Sequence, residues 1–485
     1  MPADNPTPVP AARPEPDAPA SQPAAPGRLG RYDRSIVEGP IGRAVWKLSW
    51  PTILQNAMGG LQGIVDHAMV GHFVGFTGNA AIGVSWQIFL VIIVFMGSLF
   101  TGMAVLVARY AGANEPGKVN RAVYQAFLVA FALALFVLAP LGYFLSPWLL
   151  DLVNAAPDVR AQALPYIRTL FLFGFGLLLF YMLGAALRSA GDPRTPLKFG
   201  VAITALNVVF NVVFIRGAGP IPAMGTVGAA IGTVLATTLV GIVAVWLLLT
   251  ERLVVGFPRG EWRPDWTMIR SLFRFGLPAG IQGVAMNVAG LLLLRFIGSL
   301  PESAAAQAAY AVGYTELFSM ITWTSVGLMG AAAAAAGQNL GAGRPERSVE
   351  AVRKAALGGL MIAAGVGTLF VLVPDKLLWA FGLTDPVVTR LGRQLLGYLA
   401  FSGFFITVAL TYTGGLQGTG DTRSPLYITI VSQIAVPLGT CATLQAAGHL
   451  TAGGIWTAIV LGHVTRAILS VVRFRQGRWR HIIVA

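Results

Sequence analysis

Along most of the chain, apolar residues run on without the alternation of a half-buried strand or the polar stripe of a water-exposed helix. They fall into about twelve stretches of roughly 20 residues or more, enough for each to cross a bilayer as an α-helix. The stretches cover 45–70, 82–108, 120–145, 162–185, 196–216 and 224–250 in the first half. The second half gives 270–297, 306–335, 351–373, 393–414, 425–446 and 452–474. Short segments rich in Lys, Arg, Gly and Pro separate them. The pattern predicts an all-α polytopic membrane protein with twelve transmembrane helices.

Composition strengthens this. Of 485 residues, 55% are hydrophobic and only 11% charged, against about a quarter charged in an average soluble chain. A soluble multidomain enzyme is excluded. The net charge of +14 does not point to nucleic acid, because the basic residues sit in short runs between spans. With the N-terminus placed inside, only Arg160, Arg168, Arg216, Arg295, Lys376, Arg390 and Arg393 of the 34 Lys and Arg fall outside. That asymmetry predicts both termini on the cytoplasmic side of a bacterial-type plasma (inner) membrane.

The first 30 residues are rich in Pro and Ala and lack the basic start and apolar core of a signal peptide. Residues 1–40 are therefore expected to form a disordered cytoplasmic tail. Residues 41–255 and 256–475 then make two lobes, and 476–485 a short cytoplasmic C-terminal tail. The single cysteine, Cys441, lies in an apolar stretch and has no partner for an intrachain disulfide.

The two halves repeat. Gly191-Asp192-Pro193-Arg194-Thr195-Pro196 recurs as Gly420-Asp421-Thr422-Arg423-Ser424-Pro425, and Gly112-Ala113 with Pro116 recurs as Gly341-Ala342 with Pro345. Pro51 and Gln55 match Pro278 and Gln282 at nearly the same spacing. Six spans per repeat unit predict two six-helix, pseudo-symmetric lobes related by an axis along the membrane normal, which rock to give alternating access. The Gly-Asp-x-Arg segments are read as loop anchors: Gly for a tight turn, Asp as a cap, Pro to start the next helix.

Several segments together resemble the multidrug and toxic compound extrusion (MATE) family. They are Trp50-Pro51, Asp66-His67-Ala68-Met69-Val70-Gly71-His72, the Gly191 segment, Asn207 with Asn211, Gly225 to Ala230, and Gly337-Gln338-Asn339-Leu340-Gly341. The resemblance covers roughly 40–475, and the Asp66 string is most similar to the DinF-type branch. It implies a V-shaped antiporter that exports amphipathic, often cationic compounds in exchange for entering protons or sodium ions. It also implies no enzymatic activity and no cofactor beyond the coupling H+ or Na+. The expected partners are a small-molecule substrate and membrane lipid, with no nucleic acid, and the chain is expected to be a monomer.

Carboxylates inside the spans are few. Asp66 is the clearest: in a low-dielectric site it must be protonated, paired or hydrated, so its charge is linked to what binds. Asn207 and Asn211 share a helix face on span five, as Ala229 and Thr233 do on span six. The resemblance implies that these positions bind the coupling cation, Ala229 through its backbone carbonyl. The branch often carries a second Asp where this chain has Asn211, and the missing charge favours protons over sodium. His67 is a candidate to tune Asp66.

Glu316 in span eight is a second candidate carboxylate, able to attract a cationic drug, to carry a proton, or to pair with Arg295. Gln55, Asn56, Gln282, Met286, Asn287 and Tyr314 are candidates for the substrate cleft, or for packing and bonds between helices. There is no P-loop and no metal-spaced histidine cluster, so a Na+ at the coupling site is the one metal expected and an ion gradient the energy source. A flippase or exporter of lipid-linked or organic-anion substrates is the alternative on this scaffold. Against the flippase stands the scarcity of basic residues within the spans, essentially Arg295.

Overall fold

The computed structural model describes residues 32–484 apart from 259 and 261. Among the described residues the fold is helical, with twelve principal spans. In the first lobe these are α1 (Ile41–Phe73), α2 (Phe76–Gly112), α3 (Pro116–Leu152), α4 (Pro157–Phe173 continued by Phe175–Ser189), α5 (Arg194–Arg216) and α6 (Gly225–Leu249). The second lobe has α7 (Trp266–Gly298), α8 (Ser303–Gly341), α9 (Pro345–Leu372), α10 (Pro386–Gly418), α11 (Arg423–Ala446) and α12 (Ala452–Arg475).

Ten of the twelve are long and apolar enough to cross a membrane outright, and the two halves of α4, bent by 53°, pass together. α1 has the length, at 33 residues, but carries Gln55, Asn56, Gln62, Asp66 and His67 along one helix. Polar groups are tolerated at membrane depth where protein or water, rather than lipid, receives them. The least apolar span is therefore the one expected to face a cavity.

The tail expected over 1–40 is shorter at its C-terminal end, since residues 32–40 are ordered. A helical turn, Ser35–Glu38, buries Ile36 and Val37. Asn339 Nδ2 donates to Ile36 O, Arg344 Nη1 to Val37 O, and Arg347 Nη2 to Gly39 O. An apolar pair, Ile36-Val37, between polar neighbours was the signal for this docking. Residues 1–31 lie outside the described residues. The C-terminal stretch also packs: Trp479 is buried and stacks on Phe474.

Both ends of the described chain lie on one side of the bundle, where Arg109 Nη2 donates to Ile482 O. The Gly-Asp-x-Arg loops share that side. Gly191 and Gly420 adopt φ of +99° and +100°, which only glycine takes without strain. Asp192 caps α5 by accepting from the Arg194 and Thr195 N–H groups, and Asp421 accepts from Ser424 N and pairs with Arg473. They anchor loops, as the residue pattern indicates.

The lobes meet on this same side through small residues. A Cβ at Gly102 would stand 2.0 Å from Leu272 O, and one at Gly276 would stand 2.3 Å from Ser98 O. Gly112 and Gly341 approach Gln338 O and Arg109 O equally closely. Toward the other side, Ile64, Val288 and Leu291 on α1 and α7 are exposed. The lobes are in close backbone contact where the termini lie.

Candidate functional site

Three helices of the first lobe converge on Asp66. Asn211 Nδ2 donates to Asp66 Oδ1 at 2.6 Å and to Asn207 Oδ1 at 3.2 Å. Asn207 Nδ2 in turn donates to Thr233 Oγ1 at 3.0 Å. Asn207 and Asn211 are wholly buried, and Thr233 and Ala229 nearly so. The helical spacing of Asn207 and Asn211 puts both amides on one face of α5, directed at α1 and α6.

Close helix packing makes this reach possible. A Cβ at Gly232 would stand 2.3 Å from Asn211 Oδ1, and one at Gly228 would stand 2.4 Å from Phe214 O. Glycines on α6 thus let α5 approach, and Asn211 occupies the room that a side chain at 232 would take.

The electrostatics leave two groups unanswered. No basic side chain pairs with Asp66 among the described residues. Asn211 Oδ1 is buried and accepts no hydrogen bond. His67 does not pair with Asp66, since its Nδ1 contacts Asn79 Oδ1 on α2. The site therefore offers carboxylate, amide and hydroxyl oxygens in one desolvated cluster. Such a donor set accommodates a proton or a small hard cation.

A model of the MatE family matches residues 51–213 and again 278–440. The second match begins 227 residues after the first, the spacing of the internal repeat. The chain belongs to the MATE family. It is a multi-pass membrane transporter of that family, and no enzyme.

Among curated relatives, the chain is 25% identical to a probable multidrug resistance protein NorM of Thermotoga maritima, over 90% of this chain and 93% of that one. It is 29% identical to the probable NorM of Deinococcus radiodurans, over 90% and 96%. The fold matches a solved outward-facing multidrug resistance MATE family transporter with a TM-score of 0.84 at 20% identity, over 92% and 98% of the two chains. A MATE crystal structure in the bent conformation matches with a TM-score of 0.83, over 91% and 96%.

The remaining candidate residues of this MATE chain separate into three groups. Gln55 and Asn56 line a cavity of about 270 Å³ with Gln62, Tyr181, Thr204 and Trp323, where α1 faces α8. Asn56 Nδ2 donates across the lobes to Trp323 O. Glu316 is exposed on α8, one turn before Met320, and makes no ion pair with Arg295 among the described residues.

Gln282 faces the second lobe's own interior, donating to Thr429 and accepting from Gln417. Asn287 is exposed and caps back onto Gly283 O. Met286 and Tyr314 line a separate second-lobe cavity with Tyr310, Gln433 and His463. The expectation that Arg295 is essentially the sole base within the spans is corrected. Arg295 is exposed, whereas Arg466 on α12 is 4% exposed. Its position inside the apolar run 452–474, well away from the edges, was the available signal.

Proposed function

We propose that the chain exports amphipathic, cationic compounds by antiport, with protons entering through Asp66. The observation that carries this is the Asp66–Asn211 pair. An ionised carboxylate can only accept, and Asn211 Nδ2 supplies it with a donor. A protonated Asp66 has an O–H to give, and Asn211 Oδ1 is the buried acceptor that lacks one. Protonation then favours turning the Asn211 amide, which also releases its bond to Asn207, the residue that ties α5 to Thr233 on α6. Loading from the side opposite the termini would thereby bias the first lobe between two arrangements, which coupling requires.

The relatives' names as multidrug resistance proteins support the drug-export part of the reading. The cavity between α1 and α8 supports a route for the drug beside, rather than on, Asp66. Trp323 offers it an aromatic face and Glu316, on the same helix, a negative charge. In this reading the termini side is cytoplasmic, as the distribution of basic residues indicates, and the membrane is a bacterial-type plasma membrane.

The test is efflux of a fluorescent cationic dye from proteoliposomes with proton and sodium gradients imposed separately. Dye movement driven by the proton gradient alone is expected. Movement driven by sodium alone would make Asn207, Asn211, Thr233 and the Ala229 carbonyl ligands of a sodium ion and overturn the proton assignment. Full gradient-driven efflux in Asp66→Asn would overturn the mechanism.

A further inference from the structure

The internal repeat places two glutamines at matching positions, Gln55 on α1 and Gln282 on α7. Each is held at its amide oxygen by the residue three positions before the Gly-Asp-x-Arg segment of its own lobe. In the first lobe Arg188 Nη1 donates to Gln55 Oε1 at 3.2 Å, and in the second Gln417 Nε2 donates to Gln282 Oε1 at 3.2 Å. The tether is kept across the two halves, but its chemistry is not. A guanidinium holds Gln55, and a neutral amide holds Gln282.

The nitrogen ends of the two amides differ more. Gln282 is buried, and its Nε2 donates to Thr429 Oγ1 at 2.9 Å. The first-lobe position that matches Thr429, nine residues after the glycine of the segment, is Gly200. It has no side chain to accept a bond. A Cβ built on it would stand 3.7 Å from Gln55 Cγ and 3.7 Å from Phe180 Cζ, at ordinary contact distance. The room that Thr429 fills in the second lobe is therefore open in the first. Gln55 and Gly200 both line the cavity of about 270 Å³ bounded by α1, α4, α5 and α8. Gln55 Nε2 makes no hydrogen bond among the described residues.

The surroundings indicate what would use this donor. No Asp or Glu lines the cavity. Thr204 donates to Gln62 Oε1, and Asn56 Nδ2 to Trp323 O, so these groups are engaged between helices. Arg188 makes no ion pair among the described residues. A guanidinium only donates, so its bond fixes which end of the Gln55 amide is oxygen and which is nitrogen. The same bond polarises the amide and makes its N–H a stronger donor. A cationic centre is repelled from this end of the cavity, whereas Trp323 on α8 offers it an aromatic face.

We propose that Gln55 is a specificity-determining residue of this cavity, donating its amide N–H to a carbonyl-type oxygen of the amphipathic cation that the chain exports. Arg188 is its positioning residue, and Gly200 is the opening that leaves the donor free. The substrate then lies with its oxygen toward α1 and α5 and its cationic centre toward Trp323. The second lobe keeps the same tether in a filled form, with Thr429 in the place of the ligand. This inference rests on the export of cationic compounds proposed above and adds which of them bind best.

The test is equilibrium binding to the full-length protein in detergent, read by fluorescence polarisation, which does not depend on the ion that drives efflux. The probes are tetramethylrosamine and tetramethylrhodamine methyl ester, which share one cationic ring system and differ by the ester group. Wild type is expected to bind the ester about fivefold more tightly, the scale of one net hydrogen bond. Gly200→Thr gives Gln55 the acceptor that Gln282 has, and is expected to remove the preference. Gly200→Val has the same shape without the hydroxyl and is expected to keep it. Either can weaken both dyes by filling space, so the ratio of the two affinities is the readout. Arg188→Gln should keep the preference, because Gln417 makes the same bond in the second lobe. Arg188→Leu should lose it with Gln55 still present; if that variant fails to fold, the Gly200 pair decides. Equal wild-type affinities, no binding of either dye, or a preference lost as fully in Gly200→Val as in Gly200→Thr overturns the assignment. Proton-driven efflux of both dyes with equal affinities would leave the export reading standing and remove this one. A preference that follows the Gly200 pair without proton-driven efflux would support Gln55 and remove the proton antiport instead.

Discussion

Asn211 and Asp66 are joined by a single hydrogen bond of 2.6 Å, donated by the Asn211 amide nitrogen. The amide oxygen of the same residue is buried with no donor. Both hydrogens of the amide are engaged, by Asp66 and by Asn207, while an acceptor stands empty beside a carboxylate. A partnerless buried carbonyl costs about 1–3 kcal/mol, so the arrangement favours any event that brings it a proton or a cation.

Asp66→Asn should separate stability from transport. The new amide can donate to the empty Asn211 Oδ1, which the ionised aspartate cannot. Thermal unfolding in detergent is expected to show a Tm equal to or above that of wild type, while gradient-driven dye efflux falls at least about tenfold, the scale of one lost protonation equilibrium. A Tm well below wild type would show instead that the carboxylate holds the lobe together.

Gly232→Ala should damage the same site without removing a polar group. The added methyl would stand 2.3 Å from Asn211 Oδ1, so Asn211 must leave its place or α6 must withdraw from α5. Overpacking of this kind costs about 1–3 kcal/mol, and efflux is expected to fall as in Asp66→Asn. Gly97→Ala is the control. Nothing lies within 4 Å of a Cβ there, and the helix gains up to about 1 kcal/mol from losing a glycine. Wild-type efflux in Gly232→Ala would mean that Asn211 does not participate.

The spans and the repeat were legible because lipid imposes a length and an apolar composition on every helix, and a duplication leaves a constant spacing. Asp66, Asn207, Asn211 and Thr233 could be brought together from helix periodicity and the resemblance to a family. The glycines that admit Asn211 could not, since a close approach between helices leaves no mark in one helix's own sequence. Gln282 was hidden for a related reason: a glutamine facing a cleft and one bonded to Thr429 and Gln417 look the same in sequence. Arg466 was misread because basic residues usually gather at the inner ends of spans. Its distance from the end of its own apolar run was the better guide.

The lobes should be lockable on the side of the termini. A Cβ built on Gly337 stands 2.7 Å from Ala108 Cβ across the lobes, and disulfides take about 3.5–4.5 Å between Cβ atoms. The same Cβ stands 2.6 Å from Gly418 O on α10, so the bond needs α8 to shift slightly away from both α2 and α10. In a Cys441→Ala background, Ala108→Cys with Gly337→Cys is expected to cross-link on oxidation. Efflux should drop below roughly a tenth of the reduced rate, because opening on the termini side is an obligatory half of alternating access. Reductant should restore it. Undiminished efflux by the fully cross-linked protein would rule out rocking about this contact.

The docked residues 32–40 should report the closed state through pH. Asp33 pairs with Lys47 at the start of α1 and accepts from the Ser35 N–H. Partial burial alone would raise its pKa, but the bond and charge of Lys47 outweigh it and hold the carboxyl below its ordinary value of 3.8. A depressed pKa contributes stability that is complete above the unfolded value and lost as pH falls through the folded one. Hydrogen exchange over residues 33–39 is therefore expected to stay slow from neutral pH down to about 4 and to quicken below it. The pair is partly exposed and contributes at most about 1 kcal/mol, so the change in protection should be about fivefold or less. Asp33→Asn should show that faster exchange at every pH, with Asn339, Arg344 and Arg347 still holding the backbone of the turn. Exchange in Asp33→Asn that matches wild type at neutral pH would leave those three side chains as the whole of the anchor.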